Sequence, residues 1–134
     1  MGVRFIKIAG VYFLIAVLLG ILMGIIHNFS LTPIHVHLNL LGWVSMAIFG
    51  IIYVLFPKAA ATKLAKTHFW LHNIGLPVFQ GSLFIQLVTQ NNALIPVTII
   101  GSLLVAVGVI LYVINLITQI KVDHVIGSNK DFSA

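Results

Sequence analysis

The sequence contains no cysteine, and only two of its 134 residues are acidic, Asp123 and Asp131. Without thiols there are no disulfides, thiolate metal sites, iron–sulfur clusters or c-type haem attachments. Charge of any sign is scarce, at 7% of residues, while 60% are hydrophobic. A soluble domain of this size cannot hide that much apolar surface in one core, and it needs more charge outside. The bilayer is therefore the expected solvent.

What is present is four apolar runs, at about 5–26, 34–56, 69–89 and 94–120. A helix rising about 1.5 Å per residue needs roughly 20 residues to cross a hydrocarbon core of about 30 Å, and each run meets that length. The runs are uniformly apolar rather than alternating with period two, which excludes strands. The breaks between them, Asn28 to Pro33, Pro57 to Thr67 and Gln90 to Asn92, are polar or carry proline. The expected fold is all-α: a polytopic membrane protein, one four-helix transmembrane domain over 1–134, with no second domain, repeat or low-complexity linker.

The basic residues set its orientation. Arg4 and Lys7 lie at the amino end, Lys58, Lys63 and Lys66 in the middle connection, and Lys121 and Lys130 in the tail, which accounts for all seven. The connections at 27–33 and 90–93 have none. Both termini and the central connection are thus expected to be cytoplasmic, in a bacterial inner membrane. The formal charge of +5 is a topology signal and needs no nucleic acid to explain it. The amino end resembles a signal peptide, but its apolar stretch is too long and no small-x-small site follows, so it is expected to be retained. Met1-Gly2 opens like an acylation signal, yet Ile6 stands where Ser or Thr is required. Asn28-Phe29-Ser30 fits a glycosylation pattern that is common by chance.

Lys, Arg and Asp avoid the span interiors, but histidine does not. Ionisable groups in spans are costly, so they mark where function is sought. His27, His35 and His37 fall near the outer surface, and His68, His72 and His124 on the inner side. With no acid near the outer three, neutral imidazoles acting as ligands or hydrogen-bond partners are expected. His35 and His37 are two residues apart, which on a helix is about 200° of rotation and about 3 Å of rise. They point to nearly opposite faces and cannot chelate one ion without unwinding the helix. Each is placed to reach a different cofactor, or each donates a hydrogen bond to a different neighbouring helix; spacing alone leaves both open. His68 and His72 share a face, as two ligands of one metal would. Neither Asp nor Glu accompanies them, and the plainer reading is an interfacial pair.

Other features read as packing. Gly20 and Gly24 form a small-xxx-small face on the first helix. Gly42 and Gly50 on the second, and Gly101 and Gly108 on the fourth, allow close helix contact or make room for a flat ligand. Pro77 is expected to kink the third helix, along which Gln80, Ser82 and Gln86 run a polar course. Trp43, Tyr53 and Trp70 read as anchors or core aromatics. Asn39 lies one turn after His35 and is placed to orient it; Tyr112 and Asn115 are placed to bond between helices.

The stretch His35-Val36-His37-Leu38-Asn39-Leu40-Leu41-Gly42-Trp43-Val44, continuing through Gly50, Tyr53 and Pro57, resembles the tenth helix of subunit I of the haem–copper oxidases. The likeness is nearest to the cbb-type and nitric-oxide-reductase branch. Thr67-His68-Phe69-Trp70-Leu71, followed by Gly75, resembles the start of the eleventh helix. The resemblance implies a similarity to one four-helix arc of that subunit, with His35 and His37 as axial ligands of haem iron, one on each side of the helix. Asn39 and Gly42 would form part of the haem surroundings, with His27 an additional candidate. His68 matches a position that is not a ligand in the family. The copper site and the cross-linked tyrosine of the family have no counterpart here, so oxygen or nitric oxide reduction is not expected of the chain alone.

The residues and the resemblance together support three expectations. The leading one is a b-type haem protein for electron transfer or redox sensing, assembled as a homo-oligomer, a trimer being one form, with haem between protomers. One rival is copper handling by His27, His35 and His37, since imidazole suits copper. The other is a non-catalytic small subunit or assembly factor of a respiratory complex.

Overall fold

The computed structural model describes residues 1–120; Lys121, Asp123, His124, Lys130 and Asp131 lie outside the described residues. Among the described residues every regular element is helical. In chain order they are α1 (Gly2–Ile26), α2 (Thr32–Leu55), the single turn α3 (Pro57–Ala60), α4 (Lys63–Thr89) and α5 (Asn92–Gln119). Three of these, α1, α2 and α5, are long and apolar enough to cross a membrane. The chain is an integral membrane protein. The third apolar run lies on α4, which is equally long but carries His68, His72, Asn73, Gln80, Ser82 and Gln86 and so is less apolar.

Local chemistry sets the helix ends. His27 closes α1 in the left-handed region, φ 50°, with its N–H on the Met23 carbonyl. The Asn28 side chain then accepts from Ser30 N–H at 3.0 Å, so the turn uses the asparagine of the glycosylation pattern. Pro33 sits in the first turn of α2, where no N–H is missed. At the far end Pro57 keeps Phe56 out of the helical region, at φ -121° and ψ 75°, and ends the helix. α4 begins at Lys63, six residues before the expected Phe69, because Thr62 caps it: its hydroxyl accepts from Ala65 N–H at 3.0 Å. The helix then continues through Pro77 to Thr89.

α1 packs along α2, and α4 packs along α5, making two consecutive helical hairpins. They meet around Phe5, Phe49, Tyr53, Phe69 and Tyr112 at the end holding the amino terminus and α3. A smaller cluster of Ala16, Ile34 and Leu38, backed by Leu83 and Leu87, joins them at the other end. The small-residue contacts fall elsewhere than at the expected Gly20/Gly24 pair. A Cβ at Gly24 would meet open space, while Gly101 lies so close to α4 that its Cβ would stand 2.5 Å from Phe79 N.

Asn115 fastens the end of α5. It is fully buried, donates to the Ala59 carbonyl at 3.0 Å and accepts from Thr62 Oγ1 at 2.8 Å. Asn115→Leu keeps the volume but strips both bonds, and a buried interhelical hydrogen bond in a membrane is worth on the order of 1 kcal/mol. A destabilisation of about that size is expected in a detergent unfolding titration; an unchanged midpoint would show these bonds to be idle.

Candidate functional site

The His-x-His pair opens α2. His35 turns toward α1: its Nδ1 lies 3.0 Å from the Ala16 carbonyl, and its ring covers Gly20, where a Cβ would stand 2.8 Å from His35 Cε1. Gly20 therefore makes room for an imidazole, not for a helix backbone. His37 turns the other way. Its Nδ1 lies 2.6 Å from the Pro33 carbonyl, and its ring meets Phe79 of α4 edge-on, with centroids 5.0 Å apart. The divergence expected of a two-residue spacing is present, each ring facing a different neighbour.

Hydrogen bonding fixes the protons. A carbonyl oxygen can only accept, so Nδ1 carries the hydrogen in both rings and Nε2 keeps its unshared pair. His37 Nε2 has no hydrogen-bond partner among the described residues. Asn39 donates to the His35 carbonyl at 2.9 Å and reaches toward His35 Nε2 at 3.4 Å, so it does sit against the ring it was expected to orient. An imidazole anchored through Nδ1–H on a carbonyl, with Nε2 free, is the arrangement that metal-ligating histidines use.

Two other residues fall differently. Gly42 is buried, but its space is taken by Tyr12, whose ring carbon would lie 2.7 Å from an added Cβ; that face of α2 is filled by protein. His27 is exposed at the end of α1. Among the described residues no three His, Cys, Asp or Glu side chains are grouped to hold a metal, so His27, His35 and His37 do not converge as a copper site would require.

The structure corrects the interfacial reading of His68 and His72: both are 0% exposed. The early start of α4 carries them a full turn or more into the bundle. His68 Nδ1 pairs with the Tyr53 hydroxyl at 3.0 Å, and its ring is enclosed by Phe5, Phe49 and Tyr112. His72 donates Nε2–H to the Leu41 carbonyl at 3.1 Å. His68 Nε2 and His72 Nδ1 have no hydrogen-bond partner among the described residues. The sequence did contain a signal for this. His68, His72 and Gly75 share a helical face, and Gly75 packs against Leu104 and Gly101 of α5.

The chain is 36% identical over 63 residues to the cbb3-type cytochrome c oxidase subunit CcoN1 of Stutzerimonas stutzeri, covering 42% of this chain and 13% of that protein. It resembles a segment of oxidase subunit I. Cytochrome c oxidase subunit 1 of Rhodobacter capsulatus is 35% identical over 57 residues, 38% of this chain and 11% of its own length. The subunit 1 homolog of Agrobacterium tumefaciens (strain T37) is 36% identical over 62 residues, 42% of this chain and 12% of its length. The chain thus spans a small part, 13% or less, of the relatives it matches. No family model matches the chain, and no solved structure matches it closely enough to bear on the fold.

Proposed function

We propose that this chain is a membrane b-type haem protein that carries electrons or senses redox state, with His37 and His35 as axial ligands. The observation that carries this reading is the shared state of the two imidazoles. Each has Nδ1–H held on a backbone carbonyl and an unprotonated Nε2, on opposite sides of one helix; that of His37 has no partner among the described residues, and that of His35 accepts from the Asn39 amide at a long 3.4 Å. The donor chemistry fits haem iron: neutral imidazole nitrogen, no competing carboxylate among the described residues, and an outer hydrogen bond that orients each ring. Bound haem supplies one-electron transfer, and the chain's own residues do the rest. Pro33 and Ala16 carbonyls orient the rings, and Phe79 packs edge-on beside His37.

Because the two rings diverge, a single haem cannot take both from one chain. The reading therefore includes a homo-oligomer, a trimer being one form, in which His37 of one protomer and His35 of another share a haem. It also includes α4 as a fourth membrane span and both termini on the cytoplasmic side of a bacterial inner membrane. The basic residues at that end, Arg4, Lys7, Lys58, Lys63 and Lys66, support this orientation. A respiratory complex is the natural redox partner for a chain that resembles oxidase subunit I.

An absorption spectrum of protein purified from haem-replete cells tests the reading. A Soret band with sharp bands on reduction, unmoved by carbon monoxide, is expected of an iron closed by two imidazoles. A haem-to-protomer ratio near zero sinks the proposal, and a shift with carbon monoxide replaces it with an open, substrate-binding iron.

A further inference from the structure

α2 is not a uniform α-helix. Thr32–His37 and Ser45–Leu55 are α-helical, but Leu38–Val44 between them is π-helical. A π segment inside an α-helix holds one residue more than the same length of α-helix and is rarely stable without a reason. Here Ser45 N–H bonds to the Leu40 carbonyl, five residues back. In an unbroken α-helix it would bond to Leu41, four back. Leu41 has lost that donor, and a membrane interior offers little water to replace it.

The replacement comes from α4. His72 Nε2–H reaches the Leu41 carbonyl at 3.1 Å from a fully buried ring. Its other nitrogen, Nδ1, has no hydrogen-bond partner among the described residues and is equally buried. A buried imidazole with one idle nitrogen is a costly way to fill space that leucine would fill without loss. We infer that His72 is a positioning residue: by taking the carbonyl that the π segment frees, it holds the extra residue in α2 and so sets the direction in which His35 and His37 point.

The leverage comes from helix geometry. The inner half of α2 is locked by Phe49 and Tyr53 in the aromatic core. The outer half carries both histidines, and the π segment lies between them. Losing one residue of π excess turns one half against the other by about 100°. That rotation would take His35 off Gly20 and the Ala16 carbonyl, and His37 off Phe79. The consequence for haem rests on the ligand reading above; the geometric claim does not.

The test exploits the absence of cysteine. A single Val36→Cys, at an exposed position between the two histidines, reports the rotation through its rate of maleimide labelling in detergent. Adding His72→Leu is expected to change that rate several-fold. Deleting Leu40, an exposed residue within the π segment, removes the excess residue and is expected to restore the rate even without His72. Equal rates with His72 and with His72→Leu overturn the inference. If the His72→Leu chain does not fold, the Leu40 deletion is expected to rescue it, and failure to rescue overturns the inference equally. A haem-free preparation that shows the rate change and its reversal upholds this inference while sinking the ligand reading.

Discussion

Replacing His37 with alanine is expected to abolish the haem bands while leaving helix content unchanged. A lost outer-shell partner typically weakens metal binding by about 10–100-fold, and a lost axial ligand should exceed that. The variant separates ligation from folding because His37 contributes little else. It is half-buried, its one side-chain hydrogen bond among the described residues is to a carbonyl in its own first turn, and its ring touches Phe79 only at an edge. Pro33 loses one partner and can be solvated at the helix end. His35→Ala makes a less clean test, since it also empties the space over Gly20 and frees the Ala16 bond between α1 and α2. Haem absorption that survives in His37→Ala at the wild-type ratio removes His37 from the ligand set.

The second large effect concerns the contact between α4 and α5. Gly101→Val places a Cβ 2.5 Å from Phe79 N and 2.8 Å from its Cα, inside any tolerable separation. Both are backbone atoms, so no side-chain rotation relieves the clash and the helices must part. Overpacking of this kind costs about 1–3 kcal/mol in cores that can yield, and a pair of backbones in contact yields poorly. Loss of about 3 kcal/mol or outright misfolding is expected in a thermal or detergent unfolding assay. Gly108→Ala is the control: its Cβ would meet Leu71, His72 and His68 at 3.4–3.6 Å, ordinary contact distances, so little change is expected. Equal behaviour of the two variants would show that the α4–α5 spacing is not set at Gly101.

The contrast between these glycines shows what could and could not be seen in the sequence. The apolar runs were legible because the bilayer demands length and apolarity along each segment separately, and α1, α2 and α5 lie where those runs lie. The divergence of His35 and His37 was legible for the same reason: it needs only the pitch of one helix. Pairing between helices was not. Gly20 and Gly24 look alike in the chain, yet one receives the His35 ring and the other faces open space. The start of α4 does not show in the apolar run, because Lys63 and Lys66 make its first turn polar; the Thr62 cap begins the helix among them. Those extra turns carry His68 and His72 from the expected interface into the core. The π segment leaves no mark in composition: Leu-Asn-Leu-Leu-Gly-Trp-Val reads as ordinary apolar helix. Only the carbonyl it frees, and the imidazole that answers it, make it visible.

The two hairpins also imply an order of assembly. Each long helix has its main partner as the adjacent long helix in the chain, α1 with α2 and α4 with α5. Contacts between chain neighbours form early and quickly, and amino-terminal pairs form first during synthesis. The first hairpin can therefore close, with His35 seated on Gly20, before α4 and α5 have left the ribosome. Tyr53 and Leu41 then wait for His68 and His72, which arrive only when the second hairpin docks. On this order the final register of α2 is fixed at the last step of maturation, by the arrival of the other half of the molecule.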